Sequence, residues 1–201
     1  IDMKIILIGA GNLATQLAVA LQKKGMTPAY IYSRTRESAE QLSERLRDVP
    51  YSTDISRVPT DGDLYIFAVK DSALLDLVSR MPSNRGLWVH TAGSMDMEVF
   101  APYTARYGVF YPMQTFSKER ETDFDDIPIF VETNHTDDTE RLQKLAGRLS
   151  TKVYEATSEQ RKYLHLAAVF ACNFSNHLYA LCDRILSEHG LPFETMLPLI
   201  R

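Results

Sequence analysis

No apolar run in this sequence is long enough to span a bilayer, no block of lysine and arginine stands out, and nothing repeats or falls into low complexity. The first absence argues against a membrane protein. The second, with a formal net charge of -4, argues against a nucleic-acid surface. Nothing ahead of the first apolar strand reads as a signal peptide, so a cytoplasmic location is expected. Ile1-Asp2 before Met3 reads as residues left from cloning, with Met3 as the natural start. Cysteine is scarce. Cys172 and Cys182 fall on one predicted helix, about 15 Å apart along its axis, too far to bridge, so reduced and buried thiols are expected. His135 and His189 have no ligand spacing around them, and no metal site is expected. What remains is ordinary: 201 residues, 45% hydrophobic and 24% charged, enough for one large domain or two modest ones. Function must be read from sites.

The richest stretch is the first thirty-odd residues. Lys4 to Ile8 is short, apolar and β-branched, which suits a buried parallel strand. Gly9-Ala10-Gly11-Asn12-Leu13-Ala14 then matches G-x-G-x-x-G/A. In that pattern the first glycine makes a tight turn, the second lets a pyrophosphate approach the backbone, and the third small residue lets helix and strand pack closely. Helical spacing through Leu13, Leu17, Ala20 and Leu21 runs to Gly25, a C-cap candidate. The amides at the helix start would face the pyrophosphate. A second strand, Tyr30 to Tyr32, ends in Ser33-Arg34-Thr35-Arg36 where an NAD site would carry a carboxylate. Two guanidiniums and two hydroxyls suit the 2′-phosphate of NADP. The plainer alternative is a solvated helix start capped by Thr35 or Ser33.

Strands and helices then alternate. Strands are expected at Tyr51 to Thr53, Leu64 to Val69, Gly86 to His90, Gly108 to Tyr111, Ile129 to Val131 and, as an edge, Lys152 to Tyr154. Helices are expected at Glu37 to Leu46, after Ser72, briefly at Val99 to Tyr103, and at Asp137 to Leu149. The pattern implies an α/β fold, a doubly wound and mostly parallel Rossmann sheet over residues 1–156, with ligands at the carboxyl ends of the strands. His90, Thr91 and Ser94 stand at one such end, near where a nicotinamide would lie, and Gln114 follows another. A turn with ordinary hydroxyl capping is the alternative for the first three.

From Ser158 a single long helix is expected to run to Glu188, opening an all-α C-terminal substrate or dimerisation domain over residues 157–201. The next helix is barely complete at Arg201, so either the chain is truncated or a partner subunit covers the apolar faces. At about 100° per residue, Lys162, His165, Asn173 and Asn176 share one narrow sector of a helix otherwise apolar nearly all round. Buried polar groups need partners, and a substrate or nicotinamide is one such partner. Structural bonds to the sheet domain or to a second subunit are the other. His165 suits a general acid, because its unperturbed pKa lies near neutrality. Lys162 could serve only with a lowered pKa, and Asn173 and Asn176 would orient substrate.

Gly9-Ala-Gly-Asn-Leu-Ala14, Ser33-Arg-Thr35, Ala68-Val-Lys-Asp71, His90-Thr-Ala-Gly-Ser94, Tyr111-Pro-Met113 and the helix around His165 and Asn173 together resemble bacterial Rossmann-like proteins grouped with the deazaflavin-dependent NADP oxidoreductases. Those have a helical C-terminal domain of poorly defined function. More remotely the chain is similar to pyrroline-5-carboxylate reductases, 6-phosphogluconate dehydrogenase relatives and prephenate dehydrogenases, the last sharing Pro-Met after the sixth strand. The resemblance implies NADP in the first domain, with Ala68, Val69 and Lys70, and Thr91, Ala92 and Gly93, on the cofactor side. It implies substrate between the domains, contacted by Ser94, Gln114 and Asn176, catalysis by His165, Asn173, Lys162 and His90, and a homodimer through the C-terminal helices. Two departures argue against carrying over the relatives' substrates. Lys162 is followed four residues on by Leu166, not asparagine, and the long helix lacks a Ser-Gly-rich opening.

Three functions are thus expected in order. The first is an NADP-dependent oxidoreductase moving a hydride to or from a small carbonyl, imine or deazaflavin. The second is a non-catalytic NADP-binding regulator or scaffold. The third is a Rossmann methyltransferase or other nucleotide binder.

Overall fold

The computed structural model describes residues 3–200. Ile1, Asp2 and Arg201 lie outside the described residues, and with them the reading of Ile1-Asp2 as residues left from cloning. Eight strands form one sheet: β1 (Ile5–Ile8), β2 (Tyr30–Tyr32), β3 (Tyr51–Ser52), β4 (Leu64–Phe67), β5 (Leu87–His90), β6 (Tyr107–Pro112), β7 (Ile129–Thr133) and β8 (Val153–Glu155). Their order across the sheet is β3-β2-β1-β4-β5-β6-β7-β8. The first six run parallel, β7 is antiparallel to β6, and β8 runs parallel to β7. The chain moves outward from β1 to β3, then crosses back to β4. Such a reversal opens a crevice at the carboxyl ends of β1 and β4, the place where doubly wound sheets bind ligands.

Apolar layers cover both faces, which is why β1 reads as an uninterrupted apolar run. Ile5 and Leu7 pack with Leu17, Leu21, Leu42, Leu142 and Leu145 on one side. Ile6 and Ile8 pack with Tyr65, Phe67, Trp88 and Phe100 on the other. The helices on the first side are α1 (Asn12–Lys23), α2 (Arg36–Arg45) and α4 (Thr136–Leu149), and α3 (Asp71–Arg80) lies on the second. α1 stops in a Schellman turn: Gly25, at φ +74°, donates to Gln22 O at 2.9 Å, and Met26 N donates to Leu21 O at 2.8 Å. The helix expected at Val99 to Tyr103 is instead a 3-10 turn over Met97–Phe100.

Residues 113–126, between β6 and β7, fold back over α1. Asn12 Nδ2 donates to Phe116 O at 3.0 Å. Gln16 Nε2 donates to Ser117 O at 2.6 Å and Arg120 O at 2.9 Å, while its Oε1 accepts from Thr122 N at 3.1 Å. Phe116 stacks on Phe124 with ring centroids 5.6 Å apart.

The chain divides into two compact units, Ile1–Arg161 and Lys162–Arg201. Arg161, the last residue of the first unit, is fully buried. α5 (Ser158–Ala168) leads into the second unit, where a π-helical stretch, Val169–Phe174, joins it to α6 (Ser175–Glu188). The long helix is therefore continuous but not uniformly α. The wider π turn changes the angular step, so a projection at about 100° per residue holds for Lys162 with His165 and does not carry across to Asn173 and Asn176. Gly190, φ +70°, follows the end of α6, and a turn at Phe193–Met196 precedes α7 (Leu197–Ile200). Within this unit Phe170 stacks on Phe174 at 5.1 Å, and both rings are exposed. Cys172 is exposed and Cys182 half-buried, which corrects the expectation of two buried thiols.

Candidate functional site: a cationic cavity at the sheet's switch point

Gly9 leaves β1 at φ +126°, a backbone conformation side chains rarely adopt. A Cβ there would stand 2.3 Å from Ala68 O, so the turn is pressed against the end of β4. Gly11 is different. Its φ is -79°, and a Cβ built on it meets nothing within 4 Å. The space above Gly11 is open, and Gly11 caps α1 with no side-chain hydrogen bond and no acidic residue in the first turn. Exposed amides at a positive helix end, with no side chain in front of them, suit a pyrophosphate.

A cavity of about 510 Å³ opens over this turn. Among the residues singled out from the sequence, Gly9, Gly11, Asn12, Ser33, Arg34, Thr35, Ala68, Val69 and Lys70 line it. Thr35 occupies the N-cap position of α2 without making a side-chain cap bond, so its hydroxyl remains available. Arg34 is exposed and forms no ion pair among the described residues. Ala14 is buried beneath the turn and Leu13 packs against the core. Arg36 opens α2, is exposed, and is not among the cavity's lining residues.

The same cavity is lined by residues the sequence did not single out: Tyr32, Ser38, Asp76, Arg80 and Lys118. Four cationic side chains, Arg34, Lys70, Arg80 and Lys118, thus face one carboxylate, Asp76, which is itself paired with Arg80 at 2.5 Å. A chain of net charge -4 concentrates positive charge here. The missed residues come from elements distant in sequence. One signal was visible: Gln16 interrupts the apolar face of α1 and is 3% exposed, and its amide holds the crossing loop that carries Lys118.

A second polar cluster lies at the ends of β5 and β6. Thr91, Ala92, Gly93, Ser94 and Gln114 do not line the cationic cavity. His90 is 1% exposed. Its Nδ1 accepts from Ala92 N at 3.2 Å, and Nε2 lies 3.3 Å from Asp96 O, which assigns the proton to Nε2. Burial, aided by the nearby Arg161 charge, pushes its pKa down to about 4. The ring is therefore neutral at pH 7 with both nitrogens engaged in its own turn. Both contacts lie within the turn that follows β5.

Thr91 Oγ1 reaches Phe67 O at 3.4 Å, and Ser94 Oγ donates to Asp71 Oδ2 at 3.0 Å. Gly93 lies against the ring of Tyr111, whose phenol burial pushes up while the Arg161 charge opposes it. Gln114 lines a separate cavity with Ser117 and Arg120, and its Oε1 accepts from Thr115 N at 2.8 Å. Lys162, His165, Asn173 and Asn176 belong to the helical unit, where all four are exposed. Among the described residues no group of histidine, cysteine, aspartate or glutamate could hold a metal ion, and no helix is long and apolar enough to cross a membrane.

Residues 2–113 match a family described as a Rossmann-like domain, and residues 127–201 match a domain of unknown function, DUF2520. No curated protein matches. Among solved structures, a Bacteroides fragilis protein named provisionally as an NADP oxidoreductase is 51% identical, with a TM-score of 0.86 over 99% of this chain and 78% of that one. A reductive aminase from Aspergillus terreus, solved with NADPH and ethyl levulinate, is 17% identical, with a TM-score of 0.79 over 100% of this chain and 71% of that one. A pyrroline-5-carboxylate reductase from Coxiella burnetii is 17% identical, with a TM-score of 0.72 over 99% and 76%. The last two likenesses are of fold.

Proposed function

The chain belongs to the Rossmann-like domain family, and from that premise and the charge of its nucleotide cavity we propose that it is an oxidoreductase that uses NADP. The observation that carries this reading is the end of β2. There Arg34 and the uncapped Thr35 hydroxyl line the cavity, and no carboxylate stands on Ser33, Arg34, Thr35 or Arg36. A guanidinium and a hydroxyl match phosphate oxygens, whereas a ribose 2′-hydroxyl calls for a carboxylate acceptor. The B. fragilis relative's name supports the same reading.

When bound, the cofactor supplies a hydride donor or acceptor. The protein's own residues bind and orient. Gly9 sets the turn, Gly11 leaves the α1 amides open to the pyrophosphate, and Arg34 and Thr35 hold the 2′-phosphate. Our reading of the acceptor is a small carbonyl, an imine or a deazaflavin, with His165 as proton donor and Asn173 and Asn176 as orienting amides. The helical unit is read as the substrate and dimerisation domain. Its exposed Tyr163, Leu166, Phe170, Phe174 and Leu178 support a homodimer.

Calorimetric titration with NADPH and NADH tests the cofactor assignment. The wild type is expected to prefer NADPH by tenfold or more, and Arg34→Ala to lower that preference about tenfold, the worth of one charge-assisted phosphate bond. Equal affinities in the wild type, or an unchanged preference in the variant, would show the assignment to be wrong. Hydride transfer is tested by turnover on carbonyl, imine and deazaflavin panels, with His165→Asn expected to lower kcat at unchanged NADPH affinity.

A further inference from the structure

Lys118 is separated from the glycine turn by more than a hundred residues, yet it lines the nucleotide cavity with Gly11, Arg34, Thr35 and Ser38. It also lines a neighbouring cavity of about 370 Å³ with Ser38, Gln41, Glu44 and Arg45 of α2 and with Glu119; the two carboxylates make no ion pair with it. Its side chain is half-buried, and its ammonium forms no hydrogen bond or ion pair among the described residues. A half-buried ammonium that makes no direct bond has lost hydration, and an anion seated against it would restore the contact. The backbone that presents it is fixed. Asn12 and Gln16 hold residues 116, 117, 120 and 122, and Arg45 Nη1 donates to the carbonyl of Lys118 itself at 3.2 Å. Lys23 pairs with Glu121, and Lys24 with Asp125 at 3.3 Å, so the far side of the loop is tied to the end of α1 as well. The anchors come from α1 and α2, the two helices whose first turns line the cavity.

We infer that residues 113–126 form a preassembled strap over α1 that carries Lys118 to the edge of the nucleotide cavity, and that Lys118 on it is a specificity-determining ligand for the 2′-phosphate, acting with Arg34. The inference rests on the NADP reading above and adds to it a residue, and a device, that the glycine motif and the end of β2 do not contain. The 2′-phosphate is chosen over the pyrophosphate because Ser38, on α2 just after the β2 end, is shared by both cavities that Lys118 lines. Preassembly matters energetically. A loop already ordered by Gln16 does not have to lose its conformational freedom when the dinucleotide arrives, so more of the Lys118 contact is realised as affinity.

The test is calorimetric titration of the full chain with NADPH and with NADH. Wild-type binding of NADPH over NADH is the first arm, and its absence would remove the underlying cofactor reading itself. Given that preference, Lys118→Ala is expected to weaken NADPH about tenfold with NADH unchanged, and Lys118→Arg to restore most of the loss. Unchanged NADPH affinity in Lys118→Ala, or an equal loss for both cofactors, overturns the 2′-phosphate assignment while leaving the cofactor reading standing. Gln16→Leu, checked for folding by circular dichroism, reads the strap. It should weaken NADPH as Lys118→Ala does, and the double variant should bind no worse than either single variant. Full additivity would mean that Gln16 does not act through Lys118.

Discussion

The guanidinium of Arg161, fully buried at the start of α5, is ion-paired with Glu132 of β7. The same carboxylate accepts from Ser158 N at 3.0 Å and Ser158 Oγ at 2.8 Å, while Arg161 Nη2 donates to Met95 O at 2.9 Å. One acidic side chain thereby joins the antiparallel strand, the first turn of α5 and the segment after β5.

Removing that carboxylate leaves a buried cation without its countercharge, which costs more than a surface pair is worth. Glu132→Gln is expected to lower unfolding free energy by about 3 kcal/mol. Arg161→Met should cost less, since it removes the buried charge and leaves Glu132 its bonds to Ser158. Chemical denaturation against the exposed control Glu140→Gln measures both. A Glu132→Gln loss no larger than the control's would mean the pair contributes nothing.

His90 predicts the acid limb of stability. Its folded pKa, about 4, lies below the ordinary histidine value of 6.5, so between those values the unfolded chain binds the extra proton. Stability therefore falls as pH drops from about 6.5 toward 4, by up to about 3 kcal/mol from this residue, and is unaffected by it above pH 7. Histidine NMR titration checks the premise: the His90 ring should show no protonation shift above pH 5. A midpoint near 6.5 would mean the ring is not held as described.

The two glycines of the first turn should fail in different ways. Gly9→Ala puts a methyl 2.3 Å from Ala68 O at a φ of +126°, so the fold itself should lose several kcal/mol. Gly11→Ala meets nothing within 4 Å and keeps an ordinary φ, so its melting temperature should move by no more than a few degrees. On the proposed cofactor reading its NADPH affinity should nevertheless fall at least tenfold, because the new methyl would enter the open space assigned to the pyrophosphate. A destabilised but binding-competent Gly11→Ala would invert this division of labour.

What was legible in the sequence was local. Strand β1, the glycine turn and α1 are contiguous, and each residue's part follows from backbone conformation and periodicity. The basic end of β2 follows the same logic. Lys118 was invisible because a charged loop does not announce which helix it will cross, although Gln16 on an apolar face was the half of that contact a reader could see. Arg161 was hidden for a similar reason: an arginine in a first helical turn carries no mark of burial, and its partner Glu132 lies 29 residues away. The π stretch at Val169–Phe174 leaves no mark in apolar spacing on either side, so a projection from Lys162 to Asn176 could be drawn that the backbone does not keep.

Gly93 offers a last test, of the packing at the end of β6. A Cβ on Gly93 would lie 2.7 Å from Tyr111 Cζ and 2.9 Å from its hydroxyl, with no other residue among the three nearest atoms. The ring, not the backbone, is the obstacle, and a ring can tilt. Gly93→Ala is therefore expected to cost about 1 to 2 kcal/mol, the range of a modest overpacking strain. In a Tyr111→Ala background the same substitution should cost close to nothing, because the clash has been removed in advance. A double-mutant cycle by chemical denaturation reads the difference as the coupling between the two positions. Coupling near zero would mean that Gly93 is required for some reason other than the tyrosine that lies on it.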